Sequence, residues 1–184
     1  LLAPIADCDL ADAAFPYLTA KLTEVAGVPV TAVRVSYVGE LGWELTCSAP
    51  QAQRLWRVVM QHAGDVGAIA AGRTKLGASY VWAAAGPDVF DCSGFVLWAY
   101  QQVGISLAHF SGAMYNATVR ISESQLQPGD LVFWDPAGSG GHTGSQHVAI
   151  YIGGGQILHT AHGVAITPMD WWTGNPPSGF GRIV

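Results

Sequence analysis

Basic residues are scarce in this chain: Lys and Arg number 8 among 184 residues, against 13 Asp and Glu, for a net charge of −5 with the histidines neutral. Nothing gathers them into a patch, so the counterion release that drives nucleic-acid binding has no source and no nucleic-acid partner is expected. Long apolar runs are also missing. Stretches such as Val66 to Ala71 and Val96 to Tyr100 fall far short of the roughly 20 residues a membrane-spanning helix needs, so no membrane span is expected. Cysteine is limited to Cys8, Cys47 and Cys92, an odd number that leaves at least one thiol free, and none lies in the Cys-x-x-Cys spacing of zinc or redox sites. The chain starts at Leu1 with no charged segment leading into an apolar one, so no signal peptide is read in it and the compartment is not legible there. What is present is core material: 50% of residues are apolar, 11% are charged and the mean hydropathy is +0.29, a composition that folds.

The pattern of residues changes at Gly64-Asp-Val-Gly67, and a domain boundary placed there divides the chain into 1–66 and 67–184. In the first part Val28 to Val38 is rich in β-branched residues and reads as a strand, Gly39 to Gly42 turns it, and Trp43 to Cys47 returns. Ser48 caps a following helix with Pro50 in its first turn, Leu55, Trp56, Val58, Val59 and His62 form one face, and Gly64 ends it. The segment therefore reads ββα. In the second part a short helix runs from Ala68 to Leu76 and a longer one from about Cys92 to Val103, each closed by a glycine. Short strands follow at Asp130 to Asp135, Gln146 to Ile152, Gln156 to Thr160, Val164 to Thr167 and Gly181 to Val184. Helices followed by a run of strands predict an α+β fold with helices packed on an antiparallel sheet.

Asp91-Cys92-Ser93-Gly94 opens the longer helix. That position predicts a thiolate favoured by the helix terminus and a backbone N–H at Cys92 aimed at developing oxyanion charge; the alternative is a small core cysteine. His147 heads an alternating strand 55 residues on, where an imidazole can serve a helix-borne thiol as base. His159 ends the next strand, joined by the turn Gly153-Gly-Gly155, and as a cross-strand neighbour it can orient His147 by accepting a hydrogen bond. His62, His109, His142 and His162 read as surface or packing residues. No His-x-His, His-Glu-x-x-His or Cys/His ligand spacing supports a metal, so none is expected. Tyr80, a dozen residues before Cys92, offers either a phenol for substrate or oxyanion or a core aromatic. Trp98, Trp134, Trp171 and Trp172 read as core or groove wall.

In order and spacing, Tyr80-Val-Trp82, Gly86-Pro87, Phe90-Asp-Cys-Ser-Gly94, His109-Phe-Ser111, Gln127-Pro-Gly-Asp-Leu131 and Gly144-Ser-Gln-His-Val-Ala-Ile-Tyr151 resemble the NlpC-type peptidoglycan peptidases, papain-like enzymes of bacterial cell walls and their phages. The resemblance implies a papain-like fold over 67–184, with the nucleophile at Cys92, the base at His147, the third polar group at His159 and the tyrosine near the oxyanion at Tyr80. It places Asp91 and Ser93 beside the nucleophile in the substrate groove. It further implies cleavage of a stem-peptide amide, typically between D-γ-glutamate and the diamino acid, through a thioester and without a cofactor, in a protein secreted to the wall. One departure is Ala83-Ala84, where the family usually has glycines, so that methyl groups reshape the loop if it needs positive φ. A separate resemblance covers residues 1 to about 66: Phe15-Pro-Tyr17, Val28-Pro-Val30 and Arg34-Val-Ser-Tyr-Val-Gly-Glu-Leu-Gly-Trp-Glu-Leu45 are similar to the folate-binding aminomethyltransferases and the C-terminal parts of dimethylglycine dehydrogenases, with Glu40 at a folate-contacting position. Competing readings are a catalytically silent wall-binding module, a papain-like hydrolase of a non-wall amide, and a folate-binding module built on Glu40.

Overall fold

Val28, Val30 and Ala32 are buried and alternate with more exposed neighbours, the period of two that folds such a stretch as a strand. The computed structural model describes residues 2–36, 42–134 and 147–184, which group into two units, Leu1–Ala63 and Gly64–Val184. Glu40 and His142 lie outside the described residues.

The first unit contains strands β1 (Ala20–Val25), β2 (Val28–Val35) and β3 (Gly42–Thr46), in that order in one antiparallel sheet. The expected β2–β3 pairing is present, and β1 is an addition. It joins β2 through the two-residue turn Ala26-Gly27, both with positive φ (48° and 70°), as a hairpin with right-twisted strands requires. Phe15, Val25, Val28, Val30, Ala32 and Leu55 make the core, with Phe15 edge-on to Trp43 at 4.7 Å between ring centres. Leu55 and Val59 reach this core from helix α1 (Ala49–Arg73), whereas Trp56 is 67% exposed. Trp56 was expected on the same face; it lies one residue, about 100° of helix, away from Leu55.

The break expected at Gly64 is also corrected, because α1 runs without interruption through Gly64 and Gly67 to Arg73. These glycines mark close packing within the second unit. A methyl group on Gly67 would fall 2.5 Å from Val103 Cγ1, and one on Gly64 would fall 3.1 Å from Ile105. The local signal for a helix stop and the local signal for a tight contact are the same letter.

The second unit continues with β4 (Ser79–Tyr80) and β5 (Val89–Phe90), a short parallel pair, then helices α2 (Cys92–Gln101) and α3 (Ser111–Ala117). Strands β6 (Val119–Arg120), β7 (Leu131–Trp134), β8 (His147–Gly153), β9 (Gln156–Thr160), β10 (Val164–Pro168) and β11 (Gly179–Arg182) form an antiparallel sheet in the order β10-β9-β8-β7-β11-β6. The fold is α+β. Leu131, Phe133, Val148, Ile150 and Leu158 share a core with Phe95, Val96, Ala99 and Tyr100 of α2. Val132, Trp134, Ala149 and Ile157, of opposite parity, form a second cluster with Trp171, Trp172 and Phe180. Asp130, just before β7, holds Arg182 through both carboxylate oxygens at 2.7 Å each, tying the start of β7 to the end of β11.

Candidate active site

Asp91 is the N-cap of α2: its extended backbone (φ −90°, ψ 176°) lets the carboxylate accept from the Gly94 N–H at 2.6 Å. The same carboxylate accepts from the Ser93 hydroxyl at 3.0 Å and from His109 Nε2, 2.9 Å from each oxygen. Gly94 allows the preceding loop to press on the helix, since a methyl group there would fall 2.1 Å from the Ala84 carbonyl oxygen. That loop does need positive φ: Ala83 sits at 61°, a region that costs a non-glycine residue about 1 kcal/mol. His109, expected as a surface or packing residue, is instead an Asp91 partner with its side chain 30% exposed. The available signal was its place in a motif two residues before a short buried helix.

Burial pushes the Cys92 thiol up to about 11; the Asp91 carboxylate adds to the rise, and backbone N–H groups of Val148, Ser93 and Cys92 itself act against it. This corrects the expectation that a helix N-terminus favours the thiolate. The terminus is already occupied by a negatively charged cap, and desolvation outweighs the remaining amide field. The bond from the Val148 N–H sets the sulphur beside the start of β8, one residue from His147. Tyr80 lies opposite Phe90 in the β4–β5 pair. Its phenol is raised above its usual range by burial and then by the charges of Cys92 and Asp91, which places it near both.

His147 opens β8 opposite Trp134 and is 4% exposed; His159 in β9 is 2% exposed. Counting back from Ile150 opposite Leu158, the two histidines are diagonal rather than direct cross-strand neighbours. Even so, His147 Nε2 lies 2.7 Å from His159 Nδ1, and His159 Nε2 lies 3.0 Å from the Thr167 hydroxyl on β10. Burial and then His159 bring His147 down to about 3, while burial brings His159 down to about 4, so both are neutral at pH 7. Trp171 packs on the pair, 5.5 Å from the His147 ring centre and 4.5 Å from that of His159. Thr167 escaped the sequence reading. Its place follows from the register, in which Ala165 pairs with His159 and a residue two positions along shares that face.

His62 is 9% exposed, in keeping with a packing residue, and His162 lies on the surface. Among the described residues no group of three or more His, Cys, Asp or Glu is arranged to hold a metal ion, and no helix is long and apolar enough to cross a membrane. The family model described as NlpC/P60 matches residues 77–174, more than half of the chain. The chain belongs to the NlpC/P60 family. Its fold over this region is thus papain-like. A second model, the GCVT N-terminal domain, matches residues 1–78.

The chain is 45% identical over 114 residues to a probable endopeptidase p60 of Listeria grayi, covering 60% of this chain and 21% of that protein. It therefore spans about a fifth of that relative's length. Among solved structures, the NlpC/p60 domain of the peptidoglycan hydrolase SagA is similar with a TM-score of 0.57 and 32% identity, covering 65% of this chain and 98% of that one. RipD of Mycobacterium tuberculosis, described as a non-catalytic NlpC/p60 protein adapted to peptidoglycan binding, is similar with a TM-score of 0.57 and 30% identity, covering 66% and 98%.

Proposed function

We propose that the Gly64–Val184 unit of this NlpC/P60 protein is a cysteine endopeptidase that cleaves an amide of the peptidoglycan stem peptide, acting at the cell wall. Relatives named endopeptidases and a peptidoglycan hydrolase support the class of activity. The observation that carries the reading is the line of groups from the Cys92 sulphur beside the start of β8, through His147, to His159 hydrogen-bonded at 2.7 Å. The cut bond proposed is that between D-γ-glutamate and the diamino acid.

At rest the pair is a thiol and a neutral imidazole, so His147 works as a general base when substrate arrives rather than as half of a standing ion pair. With Nε2 directed to His159, the proton leaving Cys92 goes to His147 Nδ1 as sulphur attacks the carbonyl carbon. The oxyanion formed is met by the Cys92 backbone N–H and the Tyr80 hydroxyl. Collapse breaks the C–N bond, His147 returns the proton to the departing amine, and a thioester remains on Cys92. Water, deprotonated by the same nitrogen, then releases the acid and restores the thiol.

Purified peptidoglycan incubated with the whole chain is expected to release fragments ending at D-glutamate, and Cys92→Ala is expected to release none, both read by mass spectrometry. Release by Cys92→Ala would overturn the nucleophile. A second reading, peptidoglycan binding without cleavage, is favoured by the likeness to RipD. It predicts that wild type sediments with the wall yet releases nothing.

A further inference from the structure

A chain of two contacts links His147 Nε2 to His159 and His159 Nε2 to Thr167. Each imidazole in the pair His147–His159 is neutral, so each carries one N–H, and the 2.7 Å contact between them admits two concerted arrangements. In one, His147 Nε2–H donates to His159 Nδ1, and the His159 proton sits on Nε2. In the other, His159 Nδ1–H donates to His147 Nε2, and the His147 proton is forced onto Nδ1. Only the first leaves His147 Nδ1 able to accept a proton. Which arrangement prevails depends on what His159 Nε2 meets, and it meets the Thr167 hydroxyl at 3.0 Å.

We propose that Thr167 is a positioning residue for both histidines: its hydroxyl oxygen accepts from His159 Nε2–H, which sustains the His147 Nε2–H form, with Nδ1 open to the thiol, that a side chain without an acceptor would disfavour. The inference rests on His147 being the base for Cys92. Register supports it: β10 pairs with β9 with Ala165 opposite His159, so Thr167 stands on the same face and reaches back along it to the ring. A hydroxyl can serve either arrangement, by accepting from Nε2–H or by donating to a bare Nε2, whereas a methyl serves neither. A buried ring N–H without an acceptor is costlier than a buried lone pair without a donor, so loss of the hydroxyl favours moving the His159 proton to Nδ1, which puts a proton on His147 Nδ1 and blocks it. The effect grows during reaction. When His147 takes the thiol proton both of its nitrogens become donors, so His159 must hold its own proton on Nε2 and donate more strongly to Thr167.

The test compares wild type, Thr167→Val and Thr167→Ser as full chains, reading the ring nitrogens of His147 and His159 by 15N NMR at pH 7 and peptidoglycan release by mass spectrometry. Wild type and Thr167→Ser are expected to show protonated Nε2 on both rings. Thr167→Val, which keeps the shape and strand propensity of threonine, is expected to show protonated Nδ1 on both. Its kcat is expected to drop about three- to tenfold, the worth of one hydrogen bond, with KM unchanged. Unaltered ring nitrogens in Thr167→Val would overturn the proposal whatever turnover does. If wild type releases nothing from peptidoglycan, the hydrolase reading fails while the NMR comparison still decides the role of Thr167.

Discussion

The carboxylate of Asp91 caps the helix that carries Cys92 and at the same time opposes ionisation of its thiol. A cap of this kind contributes about 1 kcal/mol to the helix, and an asparagine keeps most of that while removing the charge. Asp91→Asn is therefore expected to lower the pH midpoint for alkylation of Cys92 by iodoacetamide, followed on the Cys92 peptide by mass spectrometry. A midpoint that stays near 11 or rises would show that burial alone holds the thiol protonated. Sequence carried much at this scale. Cys92, His147 and His159 each stood at a legible place: a helix start, a strand start and the far side of a glycine turn. His109 and Thr167 were missed, because the first, marked only by its place in a motif, acts through a carboxylate 18 residues away and the second through a strand register that no local pattern announces.

Glycine in α1 shows the limits of local signals at the scale of an element. Substituting alanine at Gly67 gains about 1 kcal/mol of helix propensity, but its methyl would lie 2.5 Å from Val103 Cγ1, and overpacking of this kind costs about 1–3 kcal/mol. Gly67→Ala is expected to lower the urea midpoint, and Gly67→Ala with Val103→Ala to recover part of the loss; an increase in the single variant would mean that the helix shifts freely. Besides the two-residue strands β4, β5 and β6, too short to show any alternation, two elements were missed for related reasons. Strand β1 is mostly exposed, so no apolar alternation marks it, and its turn is Ala26-Gly27 rather than an Asn-Gly signal. Helix α3 spans seven residues, Ser-Gly-Ala-Met-Tyr-Asn-Ala, too few turns to display a period.

For the whole molecule the buried histidine pair makes stability depend on pH. In the unfolded chain both titrate near 6.5, while in the folded chain they do so at about 3 and about 4, so the unfolded state binds more protons at intermediate pH. Stability from this source is complete above about pH 6.5 and is lost as pH falls toward 4 and 3, at about 1.4 kcal/mol per pH unit for each ring. Urea titrations between pH 7 and 4.5 are expected to show a steep fall in wild type and a shallower one in His159→Gln; equal slopes would mean that the rings are protonated in the folded state. The architecture of the second unit was readable because several motifs in fixed order constrain one arrangement together. The extent of α1 was not, since its residues satisfy both a helix stop and a close contact.

A thiol held near 11 is ionised to only about one part in ten thousand at pH 7. Peroxide and disulfides attack or exchange through the thiolate, so burial also leaves the resting Cys92 slow to oxidise and slow to form mixed disulfides until substrate brings His147 into play as base.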